Sequence, residues 1–210
     1  MMNKLYIATT GFARSGKDTF CSIAARILQK NGLKSKQYAL ADSLKREVEP
    51  FLKEMCGVDV WTTDTETKKD IRDFLVWYGT TWWRKRDPDH WIRNVEKAIN
   101  EDTETVDVVL ISDVRYPNEA HWINSKGGYI IHLTKYNKTS MDGGKTWNRV
   151  VQGPPNSVEE KNDPIVKGLS NHSIIWEDLN NNGEYKITDE ELINNVYLKE
   201  QVFKSLKLCL

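Results

Sequence analysis

Three observations predict an α/β fold built on a parallel sheet with helices on both faces. An apolar β-type run, Lys4 to Thr10, leads through Gly11-Phe12-Ala13-Arg14-Ser15-Gly16-Lys17-Asp18-Thr19 into Phe20 to Leu28, where apolar residues recur at helical spacing. Further on, Val106 to Ile111 is a continuous apolar run rich in β-branched residues, as a parallel strand buried on both faces requires. The length, 210 residues, suits one such domain with a sizeable core.

The first strand, loop and helix have the context of a phosphate-binding P-loop, Gly-x4-Gly-Lys. Its glycines let the backbone wrap so that successive N–H groups point at an anion, and the helix N-terminus adds partial positive charge. Gly11, Arg14, Ser15, Gly16, Lys17, Asp18 and Thr19 are therefore the candidate ATP-phosphate residues, with Lys17 reaching the β- and γ-phosphates. Asp18 stands where Ser or Thr ordinarily holds Mg²⁺, and Thr19 follows it. A carboxylate can ligate the ion as well, so Asp18 is the candidate metal residue. The competing reading is an ordinary glycine-rich strand-to-helix turn.

Composition narrows the function classes. Lys plus Arg and Asp plus Glu each number 30, so the net charge is zero and no basic excess marks a nonspecific nucleic-acid binder. Cys21, Cys56 and Cys209 are widely spaced and form no metal pattern, which reads as buried thiols in a reducing cytosol. The amino terminus enters a strand without a signal-peptide pattern, and no apolar run reaches membrane-spanning length.

Asn31-Gly32 stops the first helix, and Lys36 to Ala41 reads as a short strand. Leu44, Val48, Phe51, Leu52 and Met55 mark a helix ended by Gly57, with Asp42 or Ser43 as its N-cap. Lys45 and Arg46 near its start form either a second anion site or a solvated basic face. Ile71, Phe74, Leu75 and Tyr78 mark another helix, closed near Gly79-Thr80. A third opens at Asp87-Pro88, with Trp91, Ile92, Val95 and Ile99 on its apolar face. Between them, Trp82-Trp83-Arg84-Lys85-Arg86 sets aromatics beside cations that can stack a base and grip a phosphate. Trp77 and Trp91 read as core, and at most one of Trp82 and Trp83 as facing a ligand.

The Val106–Ile111 strand ends in Ser112-Asp113-Val114-Arg115, at the carboxyl end where open α/β sheets bind ligands. Asp113 suits a Walker-B-like role beside the metal or a substrate hydroxyl, and Arg115 can bridge transferring phosphates. The alternative is an Asp that caps a turn, with Arg115 as its ion-pair partner. Pro117-Asn118-Glu119 starts a short helix, Gly127-Gly128 stops it, and Tyr129 to Leu133 is a fourth strand. Residues of about 135–170 turn polar and glycine-rich, which reads as a long lid-like or inserted loop with Arg149 its sole arginine. Asp178 to Asp189 has the spacing of a calcium loop, but Lys186 at a ligand position favours a plain turn before a strand, Tyr185 to Ile187. Thr188-x-x-Glu191 is a capping box for the last helix.

Four features stand in one order: Gly-x4-Gly-Lys-Asp-Thr, Ala-Asp-x-Leu-Lys, Gly-Thr-x(11)-Trp and Asp-x-Arg-x3-Glu. Together they resemble the phage deoxynucleoside monophosphate kinases, a branch of the P-loop nucleoside monophosphate kinases, over about residues 4–134. That family also carries Asp after the P-loop lysine. The resemblance implies a three-layer P-loop fold over 1–210, with an acceptor-binding helical segment at about 42–100. It implies ATP as phosphoryl donor, Mg²⁺, small nucleotide substrates, no stable nucleic-acid or membrane partner, and a cytoplasmic setting (the host's, if phage-encoded). It is compatible with a homodimer. By resemblance, Asp42, Lys45, Arg84 and Trp91 would line the monophosphate, while Asp113, Arg115 and Glu119 would lie between the two substrates, with Lys17, Arg115 and Asp113 catalytic.

The implied reaction is transfer of the γ-phosphoryl of ATP to a deoxynucleoside monophosphate. Phosphomevalonate kinases share the Gly-Lys-Asp start and an Asp-x-Arg strand end, but the aromatic segment favours a base-containing acceptor. A GTPase switch would need Asn-Lys-x-Asp, and Asn137-Lys138-Thr139-Ser140 lacks the aspartate. A motor ATPase commonly follows its strand-end Asp with Glu, where this chain has Val114. A polynucleotide 5′-kinase would need a basic channel.

Overall fold

The computed structural model describes residues 4–140, 147–179 and 188–209. In chain order the elements begin β1 (Leu5–Thr10), α1 (Lys17–Lys30), β2 (Ser35–Tyr38), α2 (Leu40–Cys56) and α3 (Thr65–Val76). A π-helical stretch (Trp77–Trp83), the short α4 (Arg84–Arg86), α5 (His90–Glu101), β3 (Val108–Val114) and α6 (Pro117–Ser125) follow. The chain continues through β4 (Tyr129–Ser140), β5 (Trp147–Val151), α7 (Ser157–Gly168), β6 (His172–Glu177), α8 (Asp189–Asn194) and α9 (Val196–Leu206). Contacts divide it into two compact units, one of Met1–Gln37 with Thr105–Leu210 and one of Tyr38–Glu104.

The first unit is an α/β sheet flanked by helices, as expected. Strand order is β2-β3-β1-β4-β5, with β6 also paired to β4. β1 is parallel to both β3 and β4, β6 is parallel to β4, and β5 runs antiparallel to β4. Val108 to Ile111 are all buried, which explains the unbroken apolar run in the middle of the sheet. The core joins Ile7, Phe20, Ile23, Leu28, Leu110 and Ile131 with Trp176 and Val202 from near the end of the chain.

The second unit is helical. Val48, Leu52, Val60 and Ile71 form its core, with Phe74, Leu75 and Tyr78 packed against it. Trp91 is buried and its indole N–H donates to the Gly79 carbonyl at 3.0 Å. Gly79 itself is buried against Leu44, where a Cβ would come within 2.5 Å of Leu44 Cδ1. The glycine is there for close approach, and the helix runs through it instead of stopping.

Several local expectations are corrected. The second helix starts at Leu40, so Asp42 and Ser43 lie in its first turn and Ala39 is the N-cap. Helix α3 does not close at Gly79 but winds into the π-helical stretch, which carries the aromatic run to Arg86. Trp77 is exposed, unlike Trp91. Trp82 stacks under Arg86, whose guanidinium lies 3.6 Å from the ring centroid, and Trp83 stacks on His90 at 3.7 Å. Both indoles are engaged by neighbours on their own unit. Cys21 is buried, but Cys56 is exposed at the end of α2 and Cys209 half-buried.

Residues 135–170 are not one loop. They complete β4, form the β5 arm of a hairpin and make helix α7, with Arg149 lying 4.7 Å over the Tyr136 ring. The polar composition reflects a strand pair exposed on its outer faces, where little alternation is visible. The Tyr185–Ile187 strand and the Asn180–Gly183 turn lie outside the described residues. Thr188 and Glu191 form a capping box, but it caps the short α8, and the last helix, α9, starts separately on Asn195. Among the described residues, no helix is long and apolar enough to cross a membrane.

Candidate phosphate-binding site

Sheet topology puts Gly11 at the carboxyl end of β1, between β3 and β4. The register sets Thr10 beside Val114 on one side and His132 on the other, with an irregularity between Ala8 and Thr10 that turns the chain into the loop. Asp113 and Arg115 leave β3 at the same end. The sequence places these groups together because two parallel strands that begin level also end level.

The loop is held in a strained, open curve. Gly11 and Gly16 have φ of 124° and 93°, and Arg14 is the one described non-glycine residue at positive φ, 67°. A Cβ on Gly11 would lie 2.2 Å from the Leu133 carbonyl oxygen, and one on Gly16 2.6 Å from the Trp176 ring. Trp176 also donates its indole N–H to the Ser15 carbonyl at 2.8 Å, so this residue of β6 forms the back wall of the loop. Sequence reasoning missed it. The signal was present in His172–Glu177, where Ile174 and Trp176 alternate inward with exposed Ile175.

Lys17 is 7 % exposed and folds over its own loop, donating to the carbonyls of Gly11 at 2.9 Å and Phe12 at 2.7 Å. Burial, reinforced by the positive charge of Arg115, lowers its pKa to about 8, against the pull of Glu159, Asp113 and Asp18. The three carboxylates act on the ammonium through their charge, while its hydrogen bonds go to the two loop carbonyls. Ser15 is also buried, and its hydroxyl oxygen has no hydrogen-bond partner among the described residues. Asp18 is exposed at the start of α1 and accepts from Gln37 Nε2 at 3.1 Å. Asp113 is half-buried and Arg115 largely exposed.

The donor set fits Mg²⁺. That ion keeps several waters and takes one or two carboxylates together with phosphate oxygens, so Asp18 and Asp113 around Lys17 suffice without a dedicated cage. Among the described residues no group of three or more His, Cys, Asp or Glu forms a metal cluster.

The lowered Lys17 pKa gives a signed prediction. The folded chain releases this proton near pH 8 and the unfolded chain near 10.5, so the unfolded state binds more protons between those values. Stability relative to Lys17→Met should therefore rise as pH climbs through that window. Below about 8 the lysine is charged in both states and its full burial cost remains. Denaturant titrations of the two proteins from pH 7 to 10.5 measure the difference; a flat difference would mean that the ammonium is not desolvated.

Two residues expected to meet substrate are held within the fold. Glu119 is fully buried, and its Oε2 accepts from the backbone N–H groups of Arg115 at 2.7 Å and Tyr116 at 3.0 Å. It holds the start of α6 and the Arg115 backbone, buried in the fold. Trp91 is core to the helical unit. In that unit Lys45 Nζ lies 3.9 Å from Asp42 and 4.8 Å from the Trp61 ring centroid, while Arg84 follows the aromatic run.

A residue outside every sequence expectation completes the site. Glu159, from α7, is 7 % exposed. Its Oε2 accepts from the Ala13 N–H at 2.8 Å and its Oε1 from the Arg115 guanidinium at 2.7 Å. Sequence offered no signal, since Glu159-Glu160 looks like any acidic first turn of a helix.

No family model matches the chain, and no curated protein matches it. Among solved structures, it is similar to the shikimate kinase from Acinetobacter baumannii in complex with shikimate, with 13 % identity, 99 % of this chain and 93 % of that one covered, and a TM-score of 0.45. It is also similar to the dephospho-CoA kinase from Campylobacter jejuni (10 % identity, 99 % and 96 % covered, TM-score 0.41). A third likeness is to APE1195 (14 % identity, 97 % of each chain, TM-score 0.34). At these scores the likeness is loose, and the chemistry rests on the loop's own geometry.

Proposed function

We propose that this protein is an ATP-dependent phosphotransferase, moving the γ-phosphoryl of ATP to a deoxynucleoside monophosphate to give the diphosphate and ADP. The observation that carries the reading is buried Lys17 on a P-loop that follows β1, beside the β3 end that carries Asp113 and Arg115. Such a set supplies what phosphoryl transfer needs, which is positioning and neutralisation of spreading charge. Bound Mg²⁺ would supply Lewis-acid charge on the phosphate oxygens. Lys17 would hold the phosphoryl end of ATP, Arg115 would offset the charge that develops between donor and acceptor, and Glu119 would keep Arg115 in place. An acceptor phosphate is already an anionic nucleophile, so no strong base is required.

The acceptor assignment rests on the four-part motif and on the helical unit, where Lys45 lies over the Trp61 ring beside Asp42 and Arg84 follows Trp83. A panel of deoxynucleoside, ribonucleoside and non-nucleoside monophosphates, run with ATP and Mg²⁺ and monitored for ADP, tests it. Lys45→Ala and Arg84→Ala are expected to raise the KM for the monophosphate about tenfold and to change the KM for ATP less than about twofold. Equal losses for donor and acceptor would move the acceptor contacts elsewhere, and turnover of only non-nucleoside acceptors would favour a phosphomevalonate-type reaction.

A further inference from the structure

The hairpin and helix that replace the expected polar loop lie against the P-loop itself. β4 carries β6 along one edge, paired from Ile131 to Tyr136. Its other edge is shared. β1 pairs there up to His132 and then leaves as the P-loop, while β5 pairs from Tyr136 onward in the opposite direction. The end of β5 therefore runs into the gap that β1 vacates, and Gln152 Nε2 donates to the Ala13 carbonyl. Glu159 takes the N–H of the same residue. Ala13 is gripped from both sides, one position before the left-handed Arg14.

Glu159 is held from behind. Its backbone N–H is capped by Asn156 Oδ1 at 2.9 Å. One turn later Asp163 meets His132 Nε2 at 3.1 Å, on the strand position level with Thr10. A surface ion pair with Arg115 would not need this burial. A carboxylate oxygen on a loop N–H, with its twin on a guanidinium, has instead the donor set of a bound phosphate oxygen. Glu159 is also the first among the negative charges acting on Lys17.

Building on the phosphoryl-transfer reading, we propose that Glu159 is an internal stand-in for the terminal phosphate of ATP and makes the site distinguish the triphosphate from the diphosphate. The α- and β-phosphates belong at the loop N–H groups and the helix N-terminus, with Lys17 reaching from the β- to the terminal phosphate. The terminal phosphate must then reach the early part of the loop, Ala13, and Arg115, where Glu159 sits. Two anions cannot share one N–H and one guanidinium in a half-dry site, so ATP displaces Glu159. ADP ends short of that position and leaves Glu159 docked. After transfer, the carboxylate returns to Ala13 and Arg115.

Calorimetric titration of wild type, Glu159→Gln and Glu159→Ala with Mg·ATP, Mg·ADP and inorganic tripolyphosphate tests this. Both variants should bind ATP and tripolyphosphate on the order of tenfold tighter than wild type, and ADP within about twofold. Wild type alone offers a second measurement that needs no variant to fold. Amide exchange across 156–163 should be faster with ATP bound than with ADP bound. Equal shifts for ATP and ADP, weaker ATP binding in both variants, or identical exchange with the two nucleotides would overturn the proposal and leave the kinase reading standing. Failure of wild type to bind either nucleotide would overturn both.

Discussion

Lys17→Ala is expected to lower kcat by about a thousandfold in a protein that still folds. In the structure the ammonium is buried and bonded to two carbonyls of its own loop, Gly11 and Phe12. Carbonyls satisfy its donors but do not neutralise it, which is why burial holds its pKa down near 8. A phosphate would add an anion in direct contact with it, and the ammonium would be most useful when charge is spreading over the moving phosphoryl group. Removing it takes away a transition-state contact more than a structural one. Because a desolvated charge disappears with it, the thermal midpoint should not fall. Steady-state kinetics beside a thermal melt makes the test, and near-normal turnover by the folded variant would take the P-loop out of the mechanism.

Gly11→Ala should have the largest effect on the fold around the site. The new methyl would sit 2.2 Å from the Leu133 carbonyl oxygen, which belongs to the backbone of β4 and cannot rotate away. It would also press Ser15 Oγ at 3.0 Å, on a residue whose φ of 124° already excludes most side chains. Strain and clash together should destabilise the chain by about 3 kcal/mol or more and abolish nucleotide binding. Gly153→Ala is the matched control. Nothing lies within 4 Å of its Cβ position, so its stability should change by less than about 0.5 kcal/mol. Denaturant melts of the three proteins decide the matter; equal stability of Gly11→Ala and wild type would mean that the loop does not take this path.

The parts of the site legible in the sequence were those with a local physical signature. Gly11, Gly16 and Lys17 announce a backbone curve and a charge, and Val108 to Ile111 announces burial on both faces. Asp113 and Arg115 could be placed because ligands gather at strand ends. What remained hidden depends on partners distant in sequence. Glu159 is an acidic residue in a helix's first turn until Ala13 and Arg115 are brought to it. β4 was legible only up to Leu133, and beyond it the paired stretches Tyr136–Ser140 and Trp147–Val151 show no clean alternation. Gly79 was misread for a related reason. Glycine signals a stop in isolation, but here it makes room for Leu44, and only packing tells the two apart.

The sheet's strand order also fixes when, as the chain emerges from the ribosome, the P-loop can acquire its shape. Its residues are made before either flanking strand, since β1 first finds a neighbour in β3, about a hundred positions later, and its other neighbour later still in β4. Glu159 then closes on Ala13, and Trp176 on Ser15 and Gly16 comes after that. The loop is thus an early sequence waiting on late structure. A nascent chain halted before β6 would lack the Trp176 that backs Gly16 and the Ser15 carbonyl and belongs to the same core as Phe20.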